Sequence, residues 1–336
     1  VKAVTPGDRG LAVSDVQKRL RDLGFIPPGF ESEIRQAYYG RTTTEAVRDF
    51  QEKRGLRADG SVDETTWQEL VEASFGLGDR FLYLRIPPFR GDDVRDIQRY
   101  LNRLGFNAGR EDGIFGQDTD QAVRSFQHNM GLPVDGIAGS STISYLLRLR
   151  HAFKDISVAE VHEALQDQAI RGLEGRQVVL DAAEGDAGAE RLLRASSDEL
   201  LSRGVSAVIT GGSSGQMPES QRAQLANDRE ADLVIGLRPT SGGDFHIFFF
   251  GTASYSSPRG RRLAEILFEE IKAMAGMELS PPQMKTYPLL RETRMPCVIV
   301  ESPQNLDNIG GLAMALARSI ISYFHPVDES PSGTKR

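Results

Sequence analysis

The chain has 336 residues, of which 39% are hydrophobic and 26% charged, and its net charge is −7. That acidity excludes general nucleic-acid binding, which needs a basic surface against phosphate, while the length allows two or three hydrophobic cores. No apolar run approaches the roughly 20 residues of a membrane span, and the start does not read as a secretory leader. A lone cysteine, Cys297, excludes an internal disulfide framework and favours a cytoplasmic setting, although a start at Val1 rather than Met leaves a trimmed leader open.

The first half repeats itself. Val13, Val16, Gln17, Leu20, Leu23, Gly24 and Phe25 recur as Val94, Ile97, Gln98, Leu101, Leu104, Gly105 and Phe106. Gly40, Ala46, Val47, Phe50, Gln51, Asp59 and Gly60 recur as Gly116, Ala122, Val123, Phe126, Gln127, Asp135 and Gly136. Spacings of three and four predict an amphipathic helix at the start of each copy, stopped by Gly24 or Gly105. A second helix carries Phe50 or Phe126, and a third carries Trp67 and Leu70 or Ile143 and Leu146. Asp63 and Ser140 stand where N-caps belong. Each copy is thus expected to be a three-helix bundle, at residues 1–75 and 76–150, followed by a linker over 151–175. A duplicated module of this size without a catalytic cluster reads as a binding device.

From there strand and helix alternate. Strands are expected at 177–181, 206–210, 232–237, 245–250 and 297–301, with helices at 189–203, 220–228, 258–274 and 310–324. This order predicts an α/β domain over 176–325 with a mostly parallel sheet, its site beyond the carboxyl ends of the strands. Asp181 to Glu184, Arg238 and Glu301 all fall at such ends. Residues 326–336 are polar and aperiodic, as a flexible tail would be.

The strings DGIFGQDTDQAVRSFQHNMGLPVDGIAGSST and GRTTTEAVRDFQEKRGLRADGSVDETT resemble the peptidoglycan-binding domain of cell-wall hydrolases. The first copy departs: it has five extra residues between Gly24 and Gly40 and no equivalent of Asp112-Gly113. Most shared positions read as packing and turn residues. The loops holding Asp112, Gly113, Phe115 and Gly116, and Asp135 and Gly136, are the candidates for ligand contact.

The segments VVLDAAEG, RAQLANDREADLVIGLRPT and RETRMPCVIVESPQNLDN resemble the zinc-dependent N-acetylmuramoyl-L-alanine amidases. In active members of that family two His and a Glu hold zinc, and a final Glu is the general base. Here the first His position falls near Glu184, the second is Arg238, Glu190 or Glu184 is an unconvincing match for the ligand Glu, and only Glu301 stands in register. A hydrolytic zinc site needs about three protein ligands and an open position. A guanidinium ~3 Å from a dication is repelled by roughly 11 kcal/mol at an effective dielectric of about 20, against roughly 10–16 kcal/mol for a complete structural zinc site. The expectation is therefore no metal, no cofactor and no catalysis. Arg238 is then either an ordinary surface arginine or the partner of Glu184 or Glu301. The histidines show no ligand spacing, and His246 reads as a packed side chain in an aromatic strand.

Two such repeats ahead of an amidase domain without its ligands resemble a group of actinobacterial pseudo-amidases. That resemblance implies a cytoplasmic regulator of peptidoglycan precursor synthesis that stimulates a MurA-like enolpyruvyl transferase when a Ser/Thr protein kinase phosphorylates its tail. It also implies membrane partners, a lipid II flippase and a forkhead-associated protein, with a peptidoglycan fragment or precursor as ligand. In this chain Thr334 and Ser332 are the acceptor candidates. Two other readings stand beside it: an amidase with ligands relocated to Glu184, Glu190 and His246, and a passive wall-binding protein that is exported.

Overall fold

The computed structural model describes residues 3–149, 158–160, 163, 172–212, 217–240, 245–252, 255–275, 279–303 and 309–325. The chain forms two compact units that divide between Val161 and His162. The expected tail, with Ser332 and Thr334, and most of the expected linker, with His151 and His162, lie outside the described residues.

The first unit holds both repeats. The first repeat consists of α1 (Leu11–Asp22), α2 (Phe30–Arg35), α3 (Arg41–Lys53) and α4 (Glu64–Ala73). The second consists of α5 (Asp92–Arg103), α6 (Gln117–Asn129) and α7 (Ser140–Arg148). Each buries its own core: Val16, Leu20, Phe30, Val47, Phe50 and Leu70 in one, and Ile97, Leu101, Phe115, Val123, Phe126 and Leu146 in the other. The three-helix expectation holds for the second repeat and is corrected for the first. The stretch between Gly24 and Gly40, longer by five residues, holds α2, whose Glu33 accepts from Gly40 N–H, Thr42 N–H, Thr43 N–H and the Thr43 hydroxyl at 2.7–3.0 Å. One carboxylate thereby satisfies the free amides at the start of α3. Asp63 caps α4 through Thr66 N–H at 2.7 Å, whereas Ser140 is the first residue of α7 and Gly139 holds the cap position.

A shared polar clamp explains the repeated Gln. In the second repeat Gln98 donates to Asp112 Oδ1, the Ile114 carbonyl and Thr119 Oγ1, and its Oε1 accepts from Gly113 N–H. Gln127 does the same with Asp135, Ile137, Thr142 and Gly136, and Gln51 with Asp59, Ser61, Thr66 and Gly60. The glycine of each clamp has φ between +73° and +78°, a left-handed backbone that favours glycine. The fourth position is degenerate. There Gln17 bonds only the Tyr38 carbonyl and Thr43 Oγ1, and Ala37 takes the glycine's place at φ +46°. The Ala37 amide is drawn to the Ile34 carbonyl of α2, and buried Gln17 Oε1 has no hydrogen-bond partner among the described residues.

The second unit is a three-layer α/β domain. Its elements are β1 (Gln177–Ala182), α8 (Ala187–Ser202), β2 (Ser206–Gly211), α9 (Glu219–Asp228), β3 (Leu233–Thr240), β4 (His246–Phe250), α10 (Pro258–Ala275), β5 (Gln283–Lys285), α11 (Pro288–Glu292), β6 (Cys297–Pro303) and α12 (Ile309–Phe324). The sheet order is β2-β1-β3-β6-β4-β5, parallel except where β4 meets β6. Alternation along the strands sends Leu180, Ile235, Leu237, Phe249 and Val300 into one core with α8, α10 and α12. The opposite face carries the polar residues.

Candidate functional site

On that opposite face the strand register builds two adjacent rows. Asp181, Gly236, Ile299 and Phe248 align across β1, β3, β6 and β4, and one step further Arg238, Glu301 and His246 align across β3, β6 and β4. The parallel strands β1, β3 and β6 all present their carboxyl ends here, which is where such sheets place their sites.

Arg238 is the centre of an ion-pair network. Its Nη2 donates to Asp181 Oδ2 at 2.6 Å and lies 2.8 Å from Glu219 Oε1, and its Nε donates to the same Glu219 oxygen at 2.9 Å. Asp181 is fully buried; its Oδ1 accepts from Thr210 Oγ1 at 2.6 Å and lies 3.5 Å from Arg222 Nε. Arg222, itself buried, donates from Nη1 to the Ala182 carbonyl. Two guanidinia thus face two carboxylates drawn from β1 and from the first residue of α9. Burial alone would lower the affinity of Arg238 for its proton, but Glu219 and Asp181 outweigh it and hold the guanidinium above its ordinary value. Gly236 leaves the room: a Cβ there would stand 3.1 Å from Ile299 and Leu289 and 3.4 Å from Arg238 Nη1.

The expected partners of Arg238 are therefore corrected. Glu184 is exposed at the end of β1, and Glu301 accepts instead from Tyr287 Oη at 2.6 Å. Burial and then Glu301 push the Tyr287 phenol up, so it stays protonated and keeps donating. Glu190, buried near Gly212, pairs with Arg194 at 2.6 Å within α8. His246 stacks on Phe248, with centroids 6.1 Å apart, as a packed side chain would. Residue spacing gives no sign of Glu219 or Arg222 as partners; their one signal in the sequence is that Arg222 opens the RAQLAN segment.

These residues do not fit zinc. Arg238, which the amidase resemblance sets against the second imidazole, is a permanent cation saturated by the carboxylates nearest to it, and among the described residues no set of three or more His, Cys, Asp or Glu is placed to hold a metal ion. Among the described residues, this face does not offer the donor set of a zinc hydrolase.

In the helical unit the six ligand candidates are mostly spent on the fold. Phe115 is fully buried in the core, and Gly116 is the N-cap residue of α6. Asp112 and Asp135 each accept from the amide two residues on and from the clamp Gln, and Gly113 and Gly136 are buried turn residues. The backbone bond from Ile137 and the Gln127 amide hold the Asp135 carboxyl below its usual range. Asp135 alone of the six is exposed.

Paired helical modules and a sheet of this topology define an amidase-fold protein with peptidoglycan-binding domains. Residues 9–70 and 90–146 match the peptidoglycan binding domain family, and residues 189–304 match the N-acetylmuramoyl-L-alanine amidase family. The chain is 32% identical to N-acetylmuramoyl-L-alanine amidase CwlM of Mycobacterium tuberculosis, over 89% of its own length and 81% of that protein. It belongs to that family. N-acetylmuramoyl-L-alanine amidase CwlL of Bacillus licheniformis is 31% identical over 43% of this chain and 44% of its own. Among solved structures, the apo form of the amidase Ami1 from Mycobacterium abscessus superposes with a TM-score of 0.40 at 16% identity, covering 45% of this chain and 99% of that one.

Proposed function

We propose that this chain is a non-catalytic regulator of peptidoglycan precursor synthesis, which senses a peptidoglycan fragment or precursor and stimulates a MurA-like enolpyruvyl transferase when its tail is phosphorylated. The observation that carries the reading is Arg238, paired with Asp181 and Glu219 where the related hydrolases place a zinc-binding imidazole. The cognate kinase is a Ser/Thr protein kinase, with Thr334 and Ser332 as acceptors. A phosphate there adds about −1.5 to −2 charge, enough to create an arginine contact on a partner. A lipid II flippase and a forkhead-associated protein are the further partners, and they would bring a cytoplasmic protein to the inner face of the membrane. No described helix is long and apolar enough to cross a membrane.

The deciding experiment measures enolpyruvyl transfer with and without the full chain, before and after kinase treatment. The expected result is stimulation by the phosphorylated form alone. No change with either form overturns the proposal.

A further inference from the structure

In each helical module a short extended segment pairs with the loop ahead of the last helix. In the first module Val4 and Val62 exchange N–H···O bonds of 2.9 Å; in the second, Leu82 and Ala138 do so at 3.4 and 2.8 Å. Through this bridge Thr5 corresponds to Tyr83, Ala3 to Phe81 and Ser61 to Ile137.

The outer edges of the two segments differ. Thr5 N–H is taken by Asp8 Oδ2 at 2.7 Å, and the chain turns away at Pro6-Gly7. In the second module the backbone groups of Phe81, Tyr83 and Arg85 have no hydrogen bond to any described residue, and no turn or bend falls within 81–85. The outward side chains differ too. Where the first module shows Ala, Thr and Ser, the second shows Phe81, 63% exposed, with Tyr83 and Ile137, and beyond them Ile86 at 99%. Phe81 and Tyr83 also lie outside the stretch that matches the peptidoglycan binding domain. An apolar edge with open amides is what most proteins cover or charge.

We propose that this edge pairs with the same edge of a second copy of the chain, antiparallel about a twofold axis at Tyr83. Hydrogen-bond parity supports it. Leu82 spends its amide and carbonyl on Ala138, so those of residues 81, 83 and 85 point the other way. Tyr83 then exchanges bonds with Tyr83 of the second copy, and Phe81 with its Arg85. Charge narrows the register. Arg85, which lies 4.0 Å from the Phe89 ring centroid and has no ion pair among the described residues, meets an aromatic face across the axis. A register centred on Arg85 would set two like charges opposite each other. A closed, isologous contact of this kind leaves no edge free for further growth.

The test is the mass of the full chain by light scattering and sedimentation over about 1–200 μM. A concentration-dependent dimer is expected, and Tyr83→Pro, which removes the central amide, shifts it to monomer with an unchanged circular dichroism spectrum. Hydrogen-bonded antiparallel pairs hold Cα atoms about 5.5 Å apart, within disulfide range. Oxidised Tyr83→Cys therefore gives a covalent dimer and Leu84→Cys does not; the native Cys297 is buried. A monomer throughout, with no Tyr83→Cys cross-link, overturns the proposal. So does a dimer untouched by Tyr83→Pro, or a monomer that instead sediments with phosphatidylglycerol vesicles through Phe81 and Ile86.

Discussion

Tyr287 Oη donates to Glu301 Oε1 at 2.6 Å, placing a protonated phenol against the carboxylate that the amidase resemblance assigns as general base. The phenol is raised first by burial and then by Glu301 itself. Tyr39 in the helical unit is raised as well, by burial and then by Asp59 and Asp8, and it donates to the Gly60 carbonyl at 2.8 Å.

An alkaline titration follows from these two residues. A tyrosine whose folded pKa lies above the unfolded value near 10 adds stability that is complete below that value and declines as pH rises through and beyond it. In the native protein Tyr39 and Tyr287 are expected to stay protonated while exposed tyrosines ionise. Ultraviolet absorbance at 295 nm checks this: Tyr39→Phe and Tyr287→Phe each leave the native titration amplitude unchanged. A loss of one tyrosine's amplitude in either variant would contradict the assignment.

Replacing Arg238 by Met leaves Asp181 Oδ2 and Glu219 Oε1 without the cation they share. Breaking a buried pair from one side costs about 3–5 kcal/mol. Urea unfolding of the α/β unit's signal should show that loss, and adding Asp181→Asn with Glu219→Gln should recover part of it. A single Arg238→Met change without measurable cost would mean that Arg222 alone neutralises the pocket.

The clamps offer an internal comparison. Gln98 makes four hydrogen bonds, whereas Gln17 makes two and leaves Oε1 unpartnered among the described residues. With each bond contributing about 0.5–1.5 kcal/mol net, Gln98→Leu is expected to cost about 1–3 kcal/mol more than Gln17→Leu. Thermal unfolding of the two variants decides it, and equal costs would remove the claim that the fourth clamp has decayed.

Acid should expose Glu33. Burial raises its carboxyl, but the Thr43 hydroxyl and the Thr42 and Thr43 amides together lower it below the usual range. A lowered carboxylate contributes stability that is complete above the unfolded pKa, near 4.3, and is lost as pH falls through the folded one. The stability gap between the native chain and Glu33→Gln is therefore expected to narrow as pH drops from about 5 to 3. A gap independent of pH would show that the side chain acts by shape alone.

Much of the fold was legible because period-3.6 and apolar-run signals are strong in long elements. The helices around Val16 and Ile97 and the strand ends at Asp181, Arg238 and Glu301 are all where the pattern places them. Helix α2 and strand β5 were not legible, since six and three residues carry no measurable period. The partner of Arg238 was not legible for another reason. Glu219 lies on the helix that leads into β3, and only the packing of that helix on the sheet aims its carboxylate at the guanidinium. The turn residues mark the opposite case: Asp112-Gly113 and Asp135-Gly136 announced their geometry in the sequence, and their hydrogen bonds are what Asp-Gly turns need.

The double tether of Arg238 locks the pocket to its cation. Because one strand and one helix both hold the guanidinium, histidine at that position would unbalance two interior carboxylates at once, so a single exchange there could not be neutral for the pocket.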